Sequence, residues 1–275
     1  MITAERVTPA LGAEVEGIDL SSLDDSGEQA LYDELIEHQV LFLRDQHLAP
    51  GELVDAARYF GPLVARHHTY TVHPDHEDVI VLDWHPGNPT DGAEWHSDLT
   101  YRSAPPFASL LQAVVVPPVG GDTLWASMYA VHDSLDPGLR SDLEQLDAVH
   151  DIGTFRTSAY RRRGVEGIDE LLGSGGSAVW PVIAHHPVTG RAYVNVNEAF
   201  TRWIIGLTGP ESNRVMTLLF DLINRPDHQV RLRWRPGTIA IWDNRATQHY
   251  AVDDYPNDRR VMHRVVVADD RRADP

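Results

Sequence analysis

Apolar runs of strand length, each cut off by Pro or Gly, recur from the middle of the chain to its end. Residues 107–116 are almost wholly apolar and stop at Pro117-Pro118. Residues 229–234 and 238–242 are divided by Pro236-Gly237, and residues 260–268 alternate in polarity. Segments this short and this punctuated match strands with one or both faces buried. Successive side chains on a strand point to opposite faces, so a set of such strands must close against a second layer. Further strands are expected at 2–7, 13–18, 40–43, 79–82 and 123–125, with a hairpin of 179–184 and 193–197.

Helices cluster early and are inserted late. Residues 26–38 are expected to be helical: Asp25 with Glu28 three residues later suits a capping box, and Leu31, Leu35 and Ile36 form an apolar stripe. Pro50 opens a second helix with Leu53, Val54 and Ala57 inward, stopped at Gly61-Pro62. Residues 128–147 read as helix or two helices, broken at Pro137-Gly138, and 210–223 has Val215, Leu218, Leu219 and Leu222 at helical spacing. The pattern is mainly β with helices: an antiparallel double sheet, or jelly roll, buttressed by helices in one domain over residues 1–275. The Arg-, acid- and Gly/Ser-rich stretch at about 157–177 buries little and is expected to be a solvated insertion or a lid.

Composition removes whole classes of chemistry. The chain has no Cys, which excludes disulfides, iron–sulfur clusters and thiol catalysis. It has no Lys either, so there is no Schiff base and no Walker A loop. Any anionic ligand must be held by Arg, His, hydroxyls or backbone amides. A formal net charge of −18 argues against nucleic acid as a partner. No apolar run is long enough to span a membrane, and no export signal is evident, so cytoplasmic residence is expected.

The chemistry concentrates in Trp95-His96-Ser97-Asp98 and in Trp242-Asp243-Asn244-Arg245-Ala246-Thr247-Gln248-His249. On a strand, His96 and Asp98 would point the same way. With His249 they would make a two-His, one-carboxylate face of the kind that holds non-haem Fe(II) and leaves other positions open. A zinc hydrolase of cupin type could use the same three groups, and a non-catalytic anion-binding jelly roll is a third possibility.

These stretches resemble the taurine dioxygenase (TauD/TfdA-like) family of Fe(II)- and 2-oxoglutarate-dependent oxygenases. So do His38-Gln39-Val40-Leu41-Phe42-Leu43-Arg44-Asp45-Gln46, Gly120-Gly121-Asp122-Thr123-Leu124-Trp125, Val196-Asn197-Glu198-Ala199-Phe200-Thr201 and Met262-His263-Arg264. The resemblance implies a double-stranded β-helix with iron held by His96, Asp98 and His249. It implies that Arg264 grips the distal carboxylate of 2-oxoglutarate with help from the Thr123 hydroxyl; Arg259 and Arg260 read as surface charges. On the substrate side it points to His67, Tyr70, Leu99, Phe200 and Arg264. It implies a small organic anion, taurine or another alkylsulfonate, hydroxylated beside its anionic group with O2 as cosubstrate and collapsing to aldehyde and sulfite. Sulfate esters and aryloxyalkanoates are the alternatives, because the family's substrate-contacting Asn is Gly92 here and its second pocket Phe aligns with Ile152 or Phe155. A homo-oligomer, dimer or tetramer, is expected on the same ground.

Overall fold

The computed structural model describes residues 2–64, 70–88, 90, 92–152 and 176–272. In chain order its strands are β1 (Thr3–Arg6), β2 (Ala13–Glu16), β3 (Val40–Leu43), β4 (Val72–His73), β5 (His76–Trp84), β6 (Ala108–Val115), β7 (Thr123–Ser127) and β8 (Asp147–Asp151). They continue as β9 (Ser177–Pro181), β10 (Ile183–His185), β11 (Ala192–Val194), β12 (Thr201–Ile204), β13 (Gln229–Leu232), β14 (Ile239–Asp243), β15 (Thr247–Ala251) and β16 (Arg260–Val267). The helices are α1 (Asp25–His38), α2 (Pro50–Arg58), α3 (Met128–Asp133), α4 (Pro137–Leu143) and α5 (Gly209–Ile223).

One sheet runs β1-β2-β3-β14-β6-β16-β5-β4, and a facing sheet runs β13-β7-β15. Strand alternation explains how the large sheet is buried on both sides. On β3 and β14, Leu41, Leu43, Ile239 and Ile241 pack with Leu31 and Leu35 of α1 and with Leu53, Val54 and Ala57 of α2. Their neighbours Val40, Phe42, Ala240 and Trp242 turn the other way and meet Trp125, Val230 and Leu232 of the facing sheet. The result is the expected mainly-β core with helical buttresses, its two sheets closing around a shared interior. Among the described residues no helix is long and apolar enough to cross a membrane.

Several local expectations change. The cap of α1 is Asp24, one residue early, whose carboxylate accepts from the Gly27 N–H at 2.8 Å. Of the two readings of residues 128–147 the structure has two helices, α3 and α4, with Pro137 opening the second. The hairpin is β10–β11, with Ala184 opposite Tyr193, while residues 177–181 pair with β8 in a separate three-stranded sheet with β12. The buried stripe of α5 is Ser212, Met216, Leu219 and Ile223; Leu218 is exposed. Ile204 N–H donates to the Ser212 hydroxyl at 2.8 Å, which turns that polar position inward. Most of the anticipated insertion at 157–177 lies outside the described residues.

Candidate metal centre and anion pocket

His249 sits on β15, opposite Trp125 of β7. His96 does not belong to a strand. It makes a single antiparallel bridge to His249, with His96 N–H donating to His249 O at 3.1 Å and His249 N–H to His96 O at 2.8 Å. The chain then leaves the sheet: residues 98–101 form a turn with Leu99 at φ 55°. The expected ligand strand is therefore a bridge followed by a turn, and the turn rather than strand alternation carries Asp98 back beside His96. The Ser97 hydroxyl fixes the step by donating to Thr247 O at 2.7 Å.

The three side chains converge. Asp98 Oδ1 lies 3.9 Å from His96 Nε2 and 3.8 Å from His249 Nε2, and all three donor atoms fall within 4.8 Å of one another. All three residues are buried. His96 Nδ1 is 2.7 Å from Glu94 O, so that nitrogen carries the proton and Nε2 offers its lone pair. Burial, with His96 alongside, pushes the His249 pKa well below its usual value, which keeps the ring neutral. Burial alone would raise the Asp98 pKa, but Arg264 and the two imidazoles outweigh it and hold the carboxyl well below the usual range. Two imidazoles and one carboxylate, sharing one side of a point and leaving the other open, fit Fe(II).

Two arginines face the same interior from β16. Arg264 donates to the Asp98 carboxylate and to the Ser109 hydroxyl, the latter at 2.8 Å. Arg260 is also buried, which corrects its expected surface position. Arg259 is the exposed neighbour, paired with Asp83 at 2.7 Å. The reason is alternation: Arg260, Met262, Arg264 and Val266 share the inward face of β16. Arg260 Nη2 lies 3.4 Å from Thr123 Oγ1, which also accepts from Trp234 Nε1 at 3.0 Å. Among the described residues no carboxylate lies within ion-pair distance of Arg260. Burial accordingly lowers its pKa, against smaller opposing effects of Tyr255 and Asp122.

The cavity between them is walled by Ile80, Leu82, Trp84 and Leu111, with Tyr70, Gly92, Leu99 and Ala251 also on its lining. A Cβ added at Gly92 would lie 3.3 Å from Ala251 Cβ and 3.6 Å from His96 Cε1, so a side chain at position 92 would crowd Ala251 and the His96 ring. Phe200 is fully buried behind the site with Leu99, Tyr101 and Ile152, its ring edge-on to His96 at 6.3 Å. His67 and Phe155 lie outside the described residues. The sequence signal for Arg260 was present in its i, i+4 relation to Arg264 on an alternating strand.

The model of the taurine catabolism dioxygenase TauD, TfdA family matches residues 3–266. The chain belongs to this TauD/TfdA family. An alkylsulfatase of Acinetobacter baylyi is 35% identical over 270 residues, 96% of this chain and 84% of that protein. An alpha-ketoglutarate-dependent sulfate ester dioxygenase of Pseudomonas putida is 34% identical over 275 residues, 95% of this chain and 88% of that one. The crystal structure of a taurine dioxygenase from Burkholderia xenovorans superposes with a TM-score of 0.84 at 28% identity, covering 98% of this chain and 90% of that one. As a TauD/TfdA member the chain is a 2-oxoglutarate-dependent dioxygenase, which sets aside the zinc-hydrolase and binding-only alternatives.

Proposed function

We propose that this dioxygenase uses Fe(II) at His96, Asp98 and His249 to hydroxylate an alkyl sulfate ester or alkylsulfonate at the carbon bearing the anionic group. The observation that carries this is the pair of inward arginines on one strand, one beside the metal ligand Asp98 and one beside Thr123. Bound Fe(II) supplies the redox chemistry that couples oxidative decarboxylation of 2-oxoglutarate to hydroxylation of a C–H bond.

Arg260 and the Thr123 hydroxyl hold the distal carboxylate of 2-oxoglutarate, a role first expected of Arg264. Thr123 stands next to Arg260, and a buried guanidinium with no carboxylate of its own favours an incoming one. Arg264, closer to the metal side, holds the substrate anion. Ile80, Leu82, Trp84 and Leu111 keep water from the pocket. Nothing on the Gly92 backbone replaces the side-chain amide that would meet an amine, which favours a sulfate ester or simple alkylsulfonate over taurine. Tyr70, Leu99 and His67 complete the substrate side of the proposal. Hydroxylation of R–CH2–OSO3⁻ gives R–CH(OH)–OSO3⁻; loss of the hydroxyl proton and cleavage of the C–O bond to sulfate leave an aldehyde.

The proposal extends to a cytoplasmic homo-oligomer formed by one catalytic domain. Val179 and Trp203, exposed on the β12-β8-β9 sheet, and Ile205 just past β12 are candidate contacts. The test of function is substrate-dependent succinate formation with Fe(II), ascorbate and O2 over alkyl sulfates, alkylsulfonates, taurine and aryloxyalkanoates. Sulfate release from alkyl sulfates with weak turnover of taurine is expected. Taurine as the best substrate, or no succinate from any sulfate or sulfonate, overturns the proposal.

A further inference from the structure

The bond network around the Asp98 turn assigns a role to a residue that touches neither metal nor substrate: we infer that Asn244 is the positioning residue that presents Asp98 to the metal. The Asn244 side chain stands in for a peptide group. Its Oδ1 accepts from Asp98 N–H at 2.7 Å, and its Nδ2 donates to Asp98 O at 3.1 Å and to Pro106 O at 3.0 Å. Its own N–H donates to Phe107 O at 2.8 Å. The side chain is buried, with both amide hydrogens and one oxygen lone pair used.

The turn needs such a partner. Sheet pairing ends at the His96–His249 bridge, so the Asp98 N–H and C=O face each other across no strand. Immediately afterwards Leu99 takes a left-handed conformation that is costly for a branched side chain and persists only where the surroundings over-determine it. From the far side, Thr100 O accepts from Trp180 Nε1 at 2.7 Å, and Thr100 Oγ1 is held by Asn197 Nδ2 at 3.0 Å and His150 Nδ1 at 2.9 Å. Asn244 is the near-side anchor, and it is fixed in turn because Asp243 N–H donates to Gln39 O at 2.9 Å. Asp at this position would oppose the Asp98 carbonyl with a second lone pair, Gln would be one methylene too long, and Ser could donate to only one of the two carbonyls.

The inference rests on the metal-centre proposal, and its test reads metal affinity rather than turnover. The full-length metal-free protein is titrated with Co(II), and its thermal midpoint is recorded in parallel. Asn244→Ala is expected to weaken Co(II) binding on the order of 10- to 100-fold, as loss of an orienting partner does. Asn244→Asp, of the same shape and available should the alanine variant not fold, is expected to weaken it in the same direction. Leu31→Ala, a core change on α1, serves as the control: it lowers the midpoint and keeps Co(II) affinity within about twofold. Either Asn244 variant binding within twofold of wild type, or the control losing as much affinity, overturns the inference while leaving the metal centre intact. Wild type failing to bind Co(II) overturns the metal centre and the inference together.

Discussion

Asp98 and Asp243 are two buried carboxylates with the same formal surroundings, an arginine and at least one imidazole. In both, burial works to raise the pKa and the neighbouring cation overrides it, so both stay ionised. Their bonding differs. Asp243 receives the Arg245 N–H and Nε at 2.9 Å each and His186 Nε2 at 2.9 Å. His186 in turn accepts at Nδ1 from Thr189 N–H at 3.2 Å, and Arg245 goes on to Asp270 at 2.9 Å. Every strong valence there is used by protein. Around Asp98 the imidazoles stand off at 3.8 and 3.9 Å, and His249 Nδ1 has no partner among the described residues. Burial and charge alone do not separate a structural cluster from a ligand site; unused coordination does.

Breaking each carboxylate should therefore give opposite outcomes. Asp98→Ala is expected to lower substrate-dependent succinate formation by about 10^3-fold or more, through loss of the metal. Asp243→Ala should instead cost about 3–5 kcal/mol of unfolding free energy by leaving Arg245 and His186 uncompensated. The pH dependence sharpens the contrast. Burial lowers the His150 pKa from 6.5 to about 4, so the unfolded chain takes up a proton that the folded one refuses. Stability should fall by about 3 kcal/mol as pH drops from 6.5 to 4. His150→Gln should remove that share of the loss, measured by denaturant unfolding at both ends of the window. The two aspartates, whose pKa values lie below their usual range, contribute stability that is lost only at still lower pH. Smallest, Arg260→Met should raise the KM for 2-oxoglutarate about 10-fold or more while leaving stability close to wild type, since this cation waits for a ligand rather than a protein carboxylate.

Periodicity carried the layers well. The double burial of β3 and β14 and the inward helices α1 and α2 follow from apolar patterning, and the meeting of His96, Asp98 and His249 was legible in their motifs. What patterning could not carry was geometry set by tertiary partners. Asp98 reaches His96 through a turn that Asn244 and Thr100 hold, and neither bond has a local sequence signature. The α5 face is set by a serine hydroxyl capping a strand N–H, which a hydrophobic count cannot weigh. Arg260 and Arg259 are identical letters in adjacent positions; only the strand's alternation, anchored by Arg264, tells the buried one from the exposed one.

The sheet order interleaves chain ends: β14 lies between β3 and β6, and β16 between β6 and β5. Each central strand thus waits for a neighbour made much later or much earlier, and the one bridge that joins the two imidazoles is among these distant pairings. Such long-range closure is slow and comes as a unit. Convergence of the three donor groups is consequently reserved for the completed polypeptide: a nascent or truncated chain ending before residue 249 offers only His96 and Asp98, without the strand that brings the third beside them.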